Sequence, residues 1–444
     1  MFNSFYASPE EAATAAPPEK LLYIACLHRG TGVERPDFIA VVDADPSSDH
    51  YAEIVHETPM PNIGDELHHF GWNRCSSACH GPDRSHLIVP GFRSSRIHVL
   101  NVADDPRRPR IEKVIEAEEL AERTGYTRPH TVHCMPGDEV VVSMLGDREG
   151  AGAGGFAVLD ARTFEVKGRW ENDGGRPPLN YDFWYQPRKN VLVSSEFGEP
   201  TAYELGFELE DVAAGRYGRR LHFWDLAERR LVQTLDLGEA GLVPLEVRWL
   251  HDPDSEQGFA GATLASNVFR FHRADGAFSA EPVIEVENEE LEGWPLPGGV
   301  PGLITDVVVS MDDRFLYFSN WLHGDLRQYD VSDPANPRLT GRVWLGGLLG
   351  KPSDVGRDLG GGPQMIQLSL DGRRLYVTNS LYSTWDNQFY PDLPGWLLKV
   401  DCDPAGGMEV DPDFFVDFHT RRDGPARAHE VRLQGGDCTT EIFQ

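Results

Sequence analysis

Three histidines, His68, His130 and His429, each open a stretch rich in alternating apolar residues, and Asp182, Glu246 and Asp306 open three further stretches of the same kind. Imidazole is a good ligand for copper, zinc or iron, so three or four that converge would make an open transition-metal site. Carboxylates beside them could orient the rings by accepting the second ring N–H. The same acids alone would suit a hard cation such as calcium. Taken singly, each histidine reads as a satisfied structural residue; three at equivalent positions read as ligands. His69 and His133 have the opposite parity, and a period of two aims them away unless a twist or bulge intervenes, which makes them reserve ligands. By the same parity Glu430 reads as a packing or gating residue. His323, in the turn Leu322-His-Gly-Asp325, reads as either a lid residue or an ordinary turn residue. Cys75 and Cys79, followed by His80, could supply soft ligands or a redox thiol pair. Cys134 reads as buried core, and Cys26, Cys402 and Cys438 as structural.

These residues are far apart in the chain, so a repeating fold must gather them. Val307-Val-Val-Ser-Met-Asp-Asp-Arg-Phe-Leu-Tyr-Phe-Ser-Asn320 recurs as Ile366-Gln-Leu-Ser-Leu-Asp-Gly-Arg-Arg-Leu-Tyr-Val-Thr-Asn379. Each reads as strand, tight turn, strand, and third and fourth strands follow, as in Leu326 to Asp330 and Leu339 to Trp344. Four antiparallel strands repeated around an axis make a β-propeller blade. Strand starts at His68, His130, Asp182, Glu246, Asp306, Met365 and His429 are spaced by 52 to 64 residues. The residues after His429 and those from Leu21 to His68 together supply one more interval, 63 residues. The expectation is an all-β, seven-bladed propeller over residues 21–444. Its ring would be closed by the C-terminal strand, around Ala428 to Leu433, pairing with N-terminal strands; residues 1–20 form a tail. Closure of this kind buries the last free sheet edges. The anchor residues then form a polar ring at one mouth of the channel. Long loops, Phe197 to Gly218 and the aromatic Leu381 to Gly395, read as a lid over a small apolar substrate, joined by the glycine-rich Gly146 to Gly155. No helix is expected after Gly150-Ala-Gly-Ala-Gly-Gly155, so it fails as a nucleotide loop.

Composition excludes some partners. With 41 Lys and Arg against 71 Asp and Glu the net charge is −30, which repels nucleic acid and anionic membranes. No apolar run is long enough for a transmembrane helix, and the N-terminus has no secretion-signal pattern. Six cysteines are too few for a disulfide scaffold, and a reducing cytoplasmic location is expected. Oligomeric state is not legible.

The strings Asp65-Glu-Leu-His-His-Phe-Gly-Trp-Asn-Arg-Cys-Ser-Ser77, Ser319-Asn-Trp-Leu-His-Gly-Asp-Leu-Arg-Gln-Tyr-Asp330 and Gly362-Pro-Gln-Met-Ile-Gln-Leu-Ser-Leu370 closely resemble the selenium-binding protein family, also described as methanethiol oxidases. The resemblance runs from about Leu21 to the C-terminus. It implies a propeller that oxidises methanethiol, a small thiol, with O2 and water to formaldehyde, hydrogen sulfide and hydrogen peroxide, using copper. The family's histidine motifs fall on His68 and His69, His130 and His133, and His429. Asp306 and Glu246 are the candidate bases, with His323 as a further candidate near the site. Two departures stand out: the cysteine pair is one residue wider than the family's Cys-Ser-Ser-Cys, and the cysteine associated with selenium aligns near Ala52. A non-catalytic selenium or metal carrier, or an interaction platform, is the alternative from a different class. A calcium-assisted hydrolase built on the acidic ring is a third.

Overall fold

The structure is a computed structural model that describes residues 5–79, 84–172 and 176–444; His80 and the first four residues lie outside these. Seven four-stranded antiparallel sheets surround a central axis as propeller blades. Their inner strands are Gly71–Trp72, Tyr126–Met135, Phe183–Gln186, Pro244–Trp249, Ile304–Val309, Ile366–Leu368 and Arg427–Leu433. Inner and middle strands are buried on both faces, as blade packs on blade, which explains near-continuous runs such as Val307-Val-Val309. Outermost strands face water: Arg230–Asp236 alternates exposed and half-buried residues along its length.

The repeated turn has a physical signature. Ser310 Oγ donates to Asp312 Oδ1 at 2.6 Å, and Ser369 Oγ donates to Asp371 Oδ1 at 2.6 Å. The residue after each aspartate, Asp313 or Gly372, takes a positive φ of 57° or 70°. Asp and Gly tolerate that left-handed conformation better than most residues, which accounts for Asp-Asp and Asp-Gly at these corners.

The ring closes as the repeat count requires. Arg427–Leu433 runs antiparallel to Leu21–Leu27, pairing Leu22 with Leu433 and Ile24 with Val431, and completes a blade with Phe38–Asp43 and Ile54–Pro59. The segment before Leu21 holds a short helix, Pro9–Ala15. Ser8 Oγ accepts from Glu11 N–H at 3.2 Å while the Glu11 carboxylate accepts from Ala7 N–H at 2.7 Å, a variant of the reciprocal capping box. Tyr6 and Ala12 are buried against the apolar cluster that includes Leu359 and Leu370. The Glu19 carboxylate accepts from Arg374 at 2.7 Å and Tyr376 Oη at 2.6 Å.

Candidate metal centre

Four imidazoles meet at one end of the channel. His68 and His69 lie in the segment that leads into Gly71–Trp72, His130 is inside Tyr126–Met135, and His429 is inside Arg427–Leu433. The His68 and His429 rings stack with centroids 3.8 Å apart and an interplanar angle of 9°. His130 lies 4.1 Å from His69 and 4.9 Å from His68, ring to ring. Donor atoms of His68, His69 and His130 all lie within 4.8 Å of one another.

Local structure explains the convergence. The Phe70 N–H donates to Glu430 Oε2 at 2.6 Å and the Leu67 N–H to Asp37 Oδ2 at 3.2 Å, so the backbone on both sides of the histidine pair is pinned to neighbouring strands. Within Tyr126–Met135 the register shifts between Pro129 and Val132, the bulge around His130. The His429 Nδ1 donates to the Ser380 carbonyl at 2.7 Å. A carbonyl can only accept, so the proton is on Nδ1 and Nε2 carries a bare lone pair. The His130 Nδ1 is bonded to Thr131 Oγ1 at 3.0 Å.

The electrostatics favour neutral rings. Burial, reinforced by repulsion from neighbouring imidazoles, drives His68 and His69 well below the ordinary histidine value. His130 falls to about 3, chiefly by burial against a partial counter-pull from Asp182, and His429 to about 4, again by burial. Neutral imidazole is the form that ligates metal. The Nε2 atoms of His69, His130 and His429 are buried with no hydrogen-bond partner. Leaving such atoms unpaired is costly, and those of His69 and His130, whose residues group with His68, match the donor set of a borderline transition metal.

The acidic ring already has a cation, Arg248. Its guanidinium pairs with Asp182 at 2.6 Å and Glu246 at 2.8 Å and reaches Asp306 at 3.4 Å. Asp306 also accepts from the Val307 and Ile366 N–H groups at 2.7 and 2.8 Å. Burial lifts Asp306 to about 7 and Glu246 well above the usual carboxylate range, while Arg248 and the Val247 N–H keep Asp182 low. Glu246 Oε1 has no hydrogen-bond partner and stands 3.7 Å from His69 Nε2.

Beside the rings is a small cavity, lined by His68, Phe92, Tyr181, Phe197, Leu245 and Tyr382 among others, with free space for little more than one water-sized molecule. The long loops close over it. Ser383–Phe389 is a helix, and Tyr382 and Trp385 from this loop are buried against Phe197, Tyr203 and Tyr217. Trp385 Nε1 and Tyr382 Oη both donate to the Tyr203 carbonyl at 3.2 Å. The Ser383 N–H donates to Glu66 Oε1 at 2.6 Å, which ties the cap to the segment just ahead of His68.

The other sequence candidates are placed apart. The His133 ring packs on Phe183 and Trp184, with centroids at 5.2 and 4.9 Å, and makes no ring contact with another histidine among the described residues. His323 Nε2 donates to the Val300 carbonyl at 2.9 Å, outside the imidazole group. Glu430 pairs with Arg432 and holds the Phe70 N–H. Sequence reasoning missed Arg248 and Tyr181. Arg248 has the parity of Glu246 two residues before it, and Tyr181, whose ring lies 4.0 Å from His130, immediately precedes the anchor Asp182.

Comparison with known proteins places this arrangement among relatives. The chain is 52% identical to a methanethiol oxidase of Xenopus laevis and 50% identical to one of Homo sapiens; each alignment covers 99% of this chain and 98% of the relative. It is 49% identical to a selenium-binding protein 2 of Mus musculus, again over 99% and 98%. The crystal structure of a hypothetical selenium-binding protein from Sulfolobus tokodaii superposes with a TM-score of 0.94 at 49% identity, covering 100% of this chain and 99% of the other. A gluconolactonase from Pseudomonas aeruginosa, at 14% identity and a TM-score of 0.56, shares the fold alone. The family model described as 56 kDa selenium binding protein (SBP56) matches residues 2–444, and the chain belongs to that family.

Proposed function

We propose that this protein is an oxidoreductase that converts methanethiol, O2 and water to formaldehyde, hydrogen sulfide and hydrogen peroxide, with copper held by His68, His69, His130 and His429. The observation that carries the reading is a group of neutral, buried imidazoles, three with unpartnered nitrogens, next to a small apolar cavity lined by the fourth, His68. The relatives named methanethiol oxidase support the substrate. Copper would supply one-electron exchange with dioxygen and a soft partner that favours thiolate over thiol.

The remaining roles belong to the chain. Phe92, Phe197 and Leu245 give an apolar wall that fits a methyl group and excludes bulk water. The Ser380 carbonyl fixes His429 in the tautomer that leaves Nε2 free. Glu246 is the best placed group to hold or move a proton, because its Oε1 is unbonded and burial has raised its affinity for the proton. Asp306 is less free to do so, since Arg248 and two backbone N–H groups occupy its carboxylate. Arg248 already pairs with all three acids, which speaks against calcium there. His133 and His323 are positioned for packing rather than ligation. Six cysteines in a chain of 444 residues are too few for a disulfide scaffold, which supports a reducing, cytoplasmic setting.

The test is elemental analysis of freshly purified protein together with an assay of sulfide released from methanethiol. Nitrogen-coordinated copper with sulfide release, and loss of that copper and of sulfide release in His130→Ala with the propeller intact, is the expected result. Metal without sulfide release would replace the enzyme with a carrier.

A further inference from the structure

At the far end of two strands that build the imidazole centre, a second group of ligands comes together. Cys75 and Cys79 follow Gly71–Trp72, and Cys134 lies four residues beyond His130 on Tyr126–Met135, roughly 13 Å along an extended strand. The three Sγ atoms lie within 4.8 Å of one another, and Cys75 and Cys79 are 3.1 Å apart. All three side chains are buried.

We propose that Cys75, Cys79 and Cys134 form a second metal site, specific for a thiophilic monovalent ion and taken here to be Cu(I). Thiolate–metal bonds of about 2.3 Å place three sulfurs around one ion about 4 Å apart, a spacing these side chains reach with small rotamer adjustments. Soft thiolates select Cu(I) or zinc among the common ions. Structural zinc takes four ligands, whereas the described residues offer three of ligand type here. Loss of thiol protons on binding leaves negative charge in a buried place, and the cationic Arg84, which pairs with Glu441, lies close enough to Cys75 and Cys134 to interact with both. Tyr185 supports the geometry: its hydroxyl donates to the Cys134 carbonyl at 2.7 Å and lies 3.8 Å from Cys79 Sγ. The C-terminal segment covers the group, with the Ala78 N–H donating to the Ile442 carbonyl at 3.2 Å and the Cys75 thiol 3.9 Å from that oxygen. This site uses none of the imidazoles, so it stands or falls independently of the proposed oxidase chemistry.

The experiment is anaerobic titration of the fully reduced chain with Cu(I) in competition with bicinchoninate. In a His130→Ala/His429→Ala double variant, one Cu(I) per chain should remain bound, with ultraviolet thiolate-to-copper charge transfer and sulfur-only scattering in X-ray absorption. Adding Cys134→Ser should weaken that ion at least a hundredfold and remove the band. Cys79→Ser, in the turn rather than in a strand, should do the same and serves if the first substitution prevents folding. Retention of the band in both cysteine variants would overturn the proposal, as would absence of any sulfur-bound copper in the double histidine variant. Isolation of the fresh protein with Cys75 and Cys79 joined as a disulfide would overturn it too.

Discussion

His429 shows how one side chain can be committed to a single protonation state by its surroundings. Its Nδ1 proton is held by the Ser380 carbonyl, its ring is stacked on His68, and burial lowers its proton affinity to about 4. In the unfolded chain the same ring titrates near 6.5. Above about 6.5 both states are neutral and the stabilising difference is complete; as pH falls from there toward 4 the unfolded state gains a proton that the folded state refuses, and stability is lost. The total for this one group is on the order of 3 kcal/mol. In metal-free protein, His429→Gln should therefore flatten the fall of the urea midpoint between pH 6.5 and 4, relative to the unsubstituted chain; an unchanged slope would contradict the assigned environment. At this scale the sequence was informative about residue types and less so about direction. Strand parity makes His69 only a reserve ligand, yet it precedes the strand, where a period of two does not operate, and it joins the centre as the family resemblance implies. Arg248 carries no periodic signal, because it lies two residues beyond the anchor Glu246 in one blade alone, although three buried acids demand a cation.

The elements divide into those written by local pattern and those written by packing. Inner strands, with β-branched residues and, in two blades, a Ser-x-Asp corner, announce themselves in the repeat. The cap does not, since length and aromatic content mark Leu381 to Gly395 as a long loop without saying whether it swings. In the structure the loop is a packed cover. Trp385 is 1% exposed, sits in edge-on or tilted contact with Phe197, Phe207, Tyr217 and Tyr382, and donates its indole N–H to Tyr203. A hinged lid would keep such a residue loosely held. Truncating a buried tryptophan costs about 3–5 kcal/mol when the site cannot collapse. Trp385→Ala should accordingly lower the unfolding temperature clearly and open the cavity, so that longer alkyl thiols are turned over better relative to methanethiol. A substitution that left both thermal stability and chain-length preference unchanged would show the loop to be a mobile flap with no part in the pocket.

The whole molecule was the most legible level, because closure and charge are both arithmetic properties of the chain. Blade intervals near 60 residues and one interval split between the termini anticipated the pairing of Arg427–Leu433 with Leu21–Leu27. That pairing also delivers His429 to the centre, so the strand that shuts the ring is one that completes the site. Charge acts over a longer range. A net charge of −30 gives the molecule a negative field overall, whereas the cavity wall is largely apolar. An alkyl thiol is uncharged at neutral pH and should approach without opposition; a thiol carrying a carboxylate should be held off. Raising ionic strength from 0.01 M to 0.15 M shortens the screening length from about 30 Å to about 8 Å. Over that range kcat/KM for methanethiol should change less than about twofold, while that for mercaptoacetate should rise severalfold as repulsion is screened. Equal salt dependence for the two thiols would mean that they meet a locally neutralised mouth, and would move the selectivity for small neutral thiols from the field of the whole molecule to the walls of the cavity alone.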